Sequence, residues 1–388
     1  MRKMKKYSGA IALFLLAAVV PAAAQQPRLS NAKLETRSAA AGLSPVFRAL
    51  VAAQAAPAWI AYSVPSVAGR QQMCCYDFIG RDSALRRGGC CRLEEKSDGV
   101  DIPTSDEKQA EKKQTEQMVH LEAPAYFFVF LRGERGKVNR IRMFSADCAI
   151  DAGGRTVYWL TDVRGAESVE LLFTFVRDEH WASPKAASKD EDADDDDSDG
   201  ESIGHAAIAA IALHADPAAD GALDRFVAPA QPESLRKQAA FWLGIERGRH
   251  GYEVLRRMVH DDPSDRVREH AIFSLSQSKV PEAVDAMIET AHNDRSGHVR
   301  GQALFWLAQR AGRRAQAAIT AAIENDPETD VKKKAVFALS QLPRDEGVPL
   351  LIQVARSNRN PVVRKQAIFW LGQSEDPRAL NYIEEILK

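Results

Sequence analysis

LRKQAAFWLG (235–244), VREHAIFSLS (267–276), VRGQALFWLA (299–308), VKKKAVFALS (331–340) and VRKQAIFWLG (363–372) are near-copies of one phrase, each beginning 32 residues after the last. Phe241, Phe273, Phe305, Phe337 and Phe369 hold the same place in the five copies. A fixed period of this length marks a stack of small supersecondary units, each too small to bury its own apolar face. The helical texture reaches back to Ile203, where a degenerate copy starts in frame.

Numbering each copy from its Val or Leu as position 0, an α-helix brings positions 0, 4, 7 and 8 into one arc. Those places hold Val or Leu, then Ala, then Trp, Ser, Trp, Ala and Trp in turn, then Leu, which predicts the buried stripe. Position 5 (Ala240, Ile272, Leu304, Val336, Ile368) widens it toward a neighbouring repeat. Position 1 is always basic, and the turns carry Asp262, Asp294, Asp326 and Asn358, so an Asp–Arg ladder between repeats is expected. Residues 231–388 hold 24 Lys and Arg against 21 Asp and Glu, a balance that gives no reason to expect a nucleic-acid surface.

Position 6 points away from that arc, and Phe stands there five times. Beside it lie position 3 (Gln238, His270, Gln302, Lys334, Gln366) and position 10 (Ile245, Gln277, Gln309, Gln341, Gln373). A row of aromatics bordered by amides is how partner surfaces are built. The candidate partner-binding residues are Phe241, Phe273, Phe305, Phe337 and Phe369 with Gln277, Gln302, Gln309 and Gln341. Two other arrangements stay open: a rotated helix with Phe in the core and Trp at the rim, or a Phe row covered by the chain's own first half. The last segment, Asp376 to Lys388, is expected to form a capping helix with Ala379, Leu380, Ile383 and Leu387 inward.

The phrase V-R-x-x-A-φ-x-x-L-G (φ apolar), followed by a turn and an amphipathic helix, resembles the HEAT-repeat family, in a short form similar to the phycobilisome-lyase-like repeats. It matches at Val267-Arg268, Val299-Arg300, Val331-Lys332 and Val363-Arg364, and more loosely at Leu235-Arg236. The resemblance covers residues 203–388 and implies an α-solenoid of about six helix pairs, with the phrase helices lining its concave side. Some members are di-iron hydroxylases with ligands from His-Glu dipeptides. No His-Glu occurs here, and Glu269-His270 has the reverse order. For chromophore-lyase activity no residue can be carried over.

The N-terminal half has a different texture. Arg2, Lys3, Lys5 and Lys6, then the apolar run Ala10 to Val20 and Pro21-Ala22-Ala23-Ala24, read as a signal peptide over residues 1–24. That predicts an exported, periplasmic protein with no membrane span once the signal is removed. In that compartment Cys74, Cys75, Cys90, Cys91 and Cys148 are disulfide candidates, one being left over from any pairing. A short helix is expected around Phe47, Leu50 and Val51. Strands are expected at 59–64, 71–79, 90–94, 125–131, 138–144 and 156–160, and a helix at 167–176. Residues 25–180 thus read as a small α+β, β-rich domain. Residues 181–202, with nine carboxylates between Asp190 and Glu201, read as an acidic flexible linker. Asp195, Asp197 and Asp199 echo half a calcium loop, but Ala206 stands where the closing Glu would be.

The sequence therefore implies a multi-domain α+β chain ending in an α-solenoid. No H-E-x-x-H or Walker glycine loop occurs, and no catalytic residue, metal or cofactor is assigned. The expected function is a non-catalytic protein–protein interaction scaffold of the bacterial envelope. The alternative is that the N-terminal domain is a small-molecule sensor or enzyme using Asp147, Cys148, Asp151 and the turn Gly153-Gly154, with the solenoid as its scaffold. A disulfide at Cys148 would weaken that alternative. The partner's identity and the oligomeric state are not set by sequence.

Overall fold

The computed structural model describes residues 26–67, 76–78, 85–87, 92–94, 126–146, 148–181 and 202–388. The expected signal peptide, Cys74, Cys75, Cys90, Cys91, Asp147 and the acidic segment lie outside the described residues.

The aromatic run expected as a strand is β6 (Tyr126–Glu134), and it turns into β7 (Lys137–Ser145) through Arg135-Gly136. Both turn residues have positive φ, which fits a two-residue hairpin to the twist of its strands. Together with β2 (Lys33–Ser38), β3 (Ala58–Pro65) and β9 (Thr156–Thr161) they form a five-stranded sheet ordered β2-β9-β3-β6-β7. The β2–β9 and β9–β3 pairs are parallel, and the other two are antiparallel. Short strands β1 (Arg28–Ser30) with β8 (Ala149–Asp151), and β4 (Tyr76–Phe78) with β5 (Leu85–Arg87), pair separately. Of the expected strand 71–79 only Tyr76–Phe78 is described as strand, and at 90–94 only Arg92 makes a bridge.

AYFFVFL reads as unbroken apolar sequence because both faces of the sheet are covered. Ile60, Tyr62, Val64, Phe127, Val129 and Leu131 face one core. Trp59, Ala61, Phe128, Phe130 and Trp159 face a second, with Leu93, Cys148 and Ile150 over them. On the first face lie α1 (Leu43–Ala53) and α2 (Gly165–Asp178), joined by Phe47 against Phe175 at 6.2 Å.

Twelve helices follow, in six pairs. They are α3 (Ile203–Leu213) with α4 (Ala218–Phe226), α5 (Glu233–Glu246) with α6 (Gly248–Asp261), and α7 (Asp265–Gln277) with α8 (Ala283–Asn293). Then come α9 (Gly297–Ala311) with α10 (Arg313–Asn325), α11 (Thr329–Ser340) with α12 (Arg344–Ser357), and α13 (Pro361–Gly372) with α14 (Pro377–Leu387). The first helix of each pair packs on the first helix of the next, which makes a solenoid.

The two halves share one core. In α3 every residue but Ile203 and His205 is buried, because it lies against α2, β7 and α5 together. A Cβ on Gly204 would come within 2.8 Å of the Glu179 side chain, so the close approach there requires glycine. Backbone bonds Val67 N–H to Leu213 O and Ala215 N–H to Pro65 O, both 2.9 Å, fasten the end of β3 to the end of α3. Beneath them His214 is fully buried. Its Nδ1 lies 2.7 Å from Ala210 O, and its Nε2 lies 2.9 Å from Ser168 Oγ, which is 2.9 Å from the Tyr62 hydroxyl. The carbonyl can only accept, so Nδ1 carries the proton and Nε2 accepts from Ser168, leaving the Tyr62 proton for Ser168 Oγ. Desolvation pushes His214 down to about 4.

The expected linker, residues 181–202, lies outside the described residues except at its two ends. At its two borders Trp181 packs on His205 at 4.9 Å and Glu179 accepts the Gly204 N–H at 2.9 Å, so the chain leaves and re-enters at one place. The capping helix also differs from expectation. Ala379 and Tyr382 face inward on α14, whereas Leu380 (58%) and Leu387 (80%) are exposed.

Candidate protein-binding face

The Asp–Arg ladder is present. In three phrase helices position 1 reaches the carboxylate 26 residues on, in the turn that closes its own pair. Arg268 Nε and Nη2 meet Asp294 at 2.8 and 3.0 Å, and Arg300 meets Asp326 at 2.7 and 3.0 Å. Arg236 meets Asp262 at 3.0 and 3.2 Å. Arg268 and Arg300 also donate to Asp262 O and Asp294 O of the preceding turn, so each rung joins two repeats. The three arginines are buried, Arg268 completely. Bonding to Asp294 raises the Arg268 pKa further. Lys332 and Asn358 break the ladder; Lys332 Nζ donates instead to Glu324 O at 2.8 Å.

With position 1 committed inward, the rest of the helix is set. Positions 0, 1, 4, 5, 7, 8 and 9 of α7 are all buried: Val267, Arg268, Ala271, Ile272, Ser274, Leu275 and Ser276. The arc is wider than the sequence suggested, because each phrase helix is covered by its neighbours along the stack as well as by its own partner helix. Phe at position 6 consequently sits at the edge of the arc rather than opposite it. Phe241 is buried, Phe273, Phe305 and Phe337 are half-buried, and Phe369 is 52% exposed.

The rings make one continuous row with a rule the sequence reading missed. Where position 7 is small (Ser274, Ala338), Phe lies flat on the preceding Phe. Phe241–Phe273 is 6.1 Å at 15°, and Phe305–Phe337 is 6.0 Å at 4°. Where position 7 is Trp, the indole is interposed. Trp306 contacts Phe273 and Phe305, both at 4.9 Å, and Trp370 contacts Phe337 at 4.9 Å and Phe369 at 5.0 Å. Trp306 and Trp370 are half-buried and share the face with the phenylalanines, although the sequence assigned position 7 to the core. The signal was visible as the alternation Trp, Ser, Trp, Ala, Trp, which makes the true period two repeats.

Polar groups border the row. Gln277, Gln309 and Gln341 are exposed and Gln302 is half-buried. Gln309 Nε2 donates to Gln341 Oε1 at 3.3 Å, the start of an amide ladder. On the other edge His298 links Glu269 (3.1 Å) and Lys334 (3.1 Å), each from a different repeat. An ammonium only donates, so His298 Nδ1 accepts and Nε2–H points at Glu269. His270 packs edge-on against Phe273 at 5.6 Å; desolvation first, and the Lys237 charge second, push it down to about 4. Between α9, α11 and α13 a groove of about 690 Å³ opens beside the row, walled by His298, Lys334, Phe337, Gln366 and Trp370. A larger hollow of about 790 Å³ lies elsewhere, between α6 and α8. Among its walls Arg249 and Arg256 are already paired with Glu282 and Glu289.

Of the N-terminal candidates, Asp147 lies outside the described residues, and Asp151 meets the turn at Gly153. Cys148 is buried and disulfide-bonded, its other half lying outside the described residues. Asp151 accepts from Gly153 N–H at 2.8 Å and Asn31 at 3.1 Å, and these bonds hold its carboxyl below the usual range. Among the described residues no cluster of three His, Cys, Asp or Glu is placed to hold a metal, and no helix is long and apolar enough to cross a membrane.

Residues 219–308 and 316–388 match the sequence profile of HEAT repeats. No curated protein matches the chain. Among solved structures, human deoxyhypusine hydroxylase in complex with glycerol aligns over 57% of this chain and 90% of its own at 14% identity, TM-score 0.25. The complex of CpcE and CpcF of phycocyanin lyase from Nostoc sp. aligns over 58% of this chain and 94% of its own at 17% identity, TM-score 0.30. Kap121p aligns over 57% of this chain and 27% of its own at 13% identity, TM-score 0.34. These superpositions are loose; the assignment of HEAT repeats rests on the profile match and on the repeat geometry itself.

Proposed function

We propose, for a chain whose C-terminal region is a solenoid of HEAT repeats, that it is a non-catalytic scaffold of the bacterial envelope which grips a protein partner on the phrase-helix face. The fold is one commonly used for protein–protein interaction. The observation that carries the reading is the unbroken ring row from Phe241 to Phe369, kept partly open to solvent and bordered by exposed amides. Flat rings supply contact area at small entropic cost, while amides adapt their donors and acceptors to a partner backbone. The groove beside Phe337 and Trp370 is where an anchoring side chain of that partner fits. An exported location follows from the basic, apolar and small-residue order of residues 1–24.

Because the rings brace one another, Phe→Ala changes would weaken the fold as well as the face. Gln309→Arg with Gln341→Arg is cleaner, since both side chains are exposed. A photo-crosslinking residue at Gln302 should capture one discrete partner from the native envelope, and the double arginine variant should lose that product with its melting unchanged. A crosslinker at Glu289, on the opposite helices, serves as control. Equal capture from both positions, or capture that survives the arginines, would refute the assignment of this face.

A further inference from the structure

The groove beside the ring row contains a cation that, among the described residues, has no carboxylate partner. Position 2 of the phrase is charged in four copies, Lys237, Glu269, Lys333 and Lys365, and is Gly301 in the remaining one. Glycine is a poor helix former, and what it supplies here is a bare stretch of α9. Lys334 lies across that stretch: a Cβ on Gly301 would collide with its Cδ. Its ammonium ends 3.1 Å from His298 Nδ1, a neutral acceptor. The other charged groups lining the groove are taken. Lys333 meets Asp330 at 3.1 Å, and Glu328 meets Arg300 at 2.9 Å.

Lys334 and Phe337 both line the groove, and residues three apart on a helix are neighbours, with about 5–6 Å between their Cβ atoms. Trp370 of α13 carries the apolar wall on from Phe337 at 4.9 Å. An ammonium and a ring wall thus fall within the span of one residue. A carboxylate is a better acceptor for that ammonium than the imidazole it now meets. An internal Asp or Glu uses its side chain for the carboxylate and leaves the rings to a second residue. The last residue of a chain presents both groups from one Cα. We propose, resting on the reading of this face as a partner surface, that the groove takes the free C-terminal carboxylate of a protein chain ending in a large apolar residue. Lys334 pairs with the carboxylate, Phe337 and Trp370 hold the side chain, and Gln366 in the same wall offers an amide to the backbone.

Fluorescence anisotropy of an N-terminally labelled peptide, Gly-Ser-Ala-Ala-Phe, titrated with the full chain tests this directly. The free acid should bind about tenfold tighter than its C-terminal amide, the ratio expected for one charge-assisted contact. Lys334→Gln should remove that difference, and Lys334→Arg should keep it. An amidated peptide with Asp placed before the Phe should bind like the plain amide. The proposal is overturned if acid and amide bind alike, or if the acid shows no binding at about 300 μM protein. It is equally overturned if the difference survives Lys334→Gln, or if the internal Asp matches the free acid. The Gln302 crosslink keeps the two readings apart. A discrete partner captured there while acid and amide bind alike leaves the face standing without this contact; no capture while the acid is preferred keeps the groove and sinks the wider face.

Discussion

At the residue scale, the most consequential side chain is His214, which no pattern in the sequence singles out. It is buried neutral, with a pKa depressed to about 4 against 6.5 when exposed. His270 is depressed to the same value. The unfolded chain therefore binds protons that the folded chain does not, once pH falls below about 6.5, and stability drops from there until pH reaches about 4. Each histidine is worth on the order of 3 kcal/mol over that window. Urea unfolding at pH 7, 6, 5 and 4.5 should show a falling midpoint, and His214→Phe should flatten the dependence while lowering stability at pH 7. A midpoint constant between pH 7 and 5 would contradict the desolvation of buried His214 and half-buried His270. The ladder arginines make a second residue-scale prediction. Asp294→Ala leaves buried Arg268 with only the more exposed Asp265, at 2.8 Å, as a carboxylate partner, and should cost about 3 kcal/mol in thermal or urea unfolding. A loss under about 1 kcal/mol would mean water replaces the rung.

At the element scale, each phrase helix was legible and its rotation was not. Val, Ala and Leu at positions 0, 4 and 8 mark the core in any helical wheel, and Arg236, Arg268 and Arg300 find the turn aspartates expected for them. The wheel treats a helix as buried on one side. These helices are covered by a neighbour on each flank, so the arc widens until it reaches Phe at position 6. At position 7 Trp242 stays in the core as expected, while Trp306 and Trp370 move outward because a Trp and a Phe cannot both fill the space that Ser274 or Ala338 leaves to a Phe pair. In the sheet half the apolar strands β3, β6 and β9 declared themselves, while β2 did not. KLETRS is a charged edge strand with little to bury, and only its backbone pairing with β9 makes it a strand. The missing rung offers a constructive test. Lys332→Arg and Asn358→Asp together should restore the bidentate pair, with a coupling of about 1–3 kcal/mol in a double-mutant cycle of unfolding energies. Zero coupling would show that the break at this unit is imposed by backbone geometry.

At the scale of the whole molecule, composition separated two textures, and one helix packs on both halves. IGHAAIAAIAL belongs to the repeat array by period, yet it is apolar all round because it is also the floor of the sheet's core. No sequence rule distinguishes a helix buried by its own array from one buried by a neighbouring sheet. Cutting the chain at an engineered protease site between Asp190 and Glu201 should therefore leave both pieces together on a native sizing column, parting only in denaturant. Pieces that separate in buffer would restore the picture of two tethered bodies.

The alternation at position 7 constrains how such an array changes length. Removing residues 267–330, a block of 64, sets the Trp242 unit against the Ala338 unit, and every indole keeps a small neighbour. Removing residues 267–298, a block of 32, sets Trp242 against Trp306 and leaves two indoles competing for one gap. Duplication or loss is thus tolerated in pairs and resisted singly. The hereditary unit of this solenoid is the doublet, and paralogous arrays should differ in even numbers of repeats.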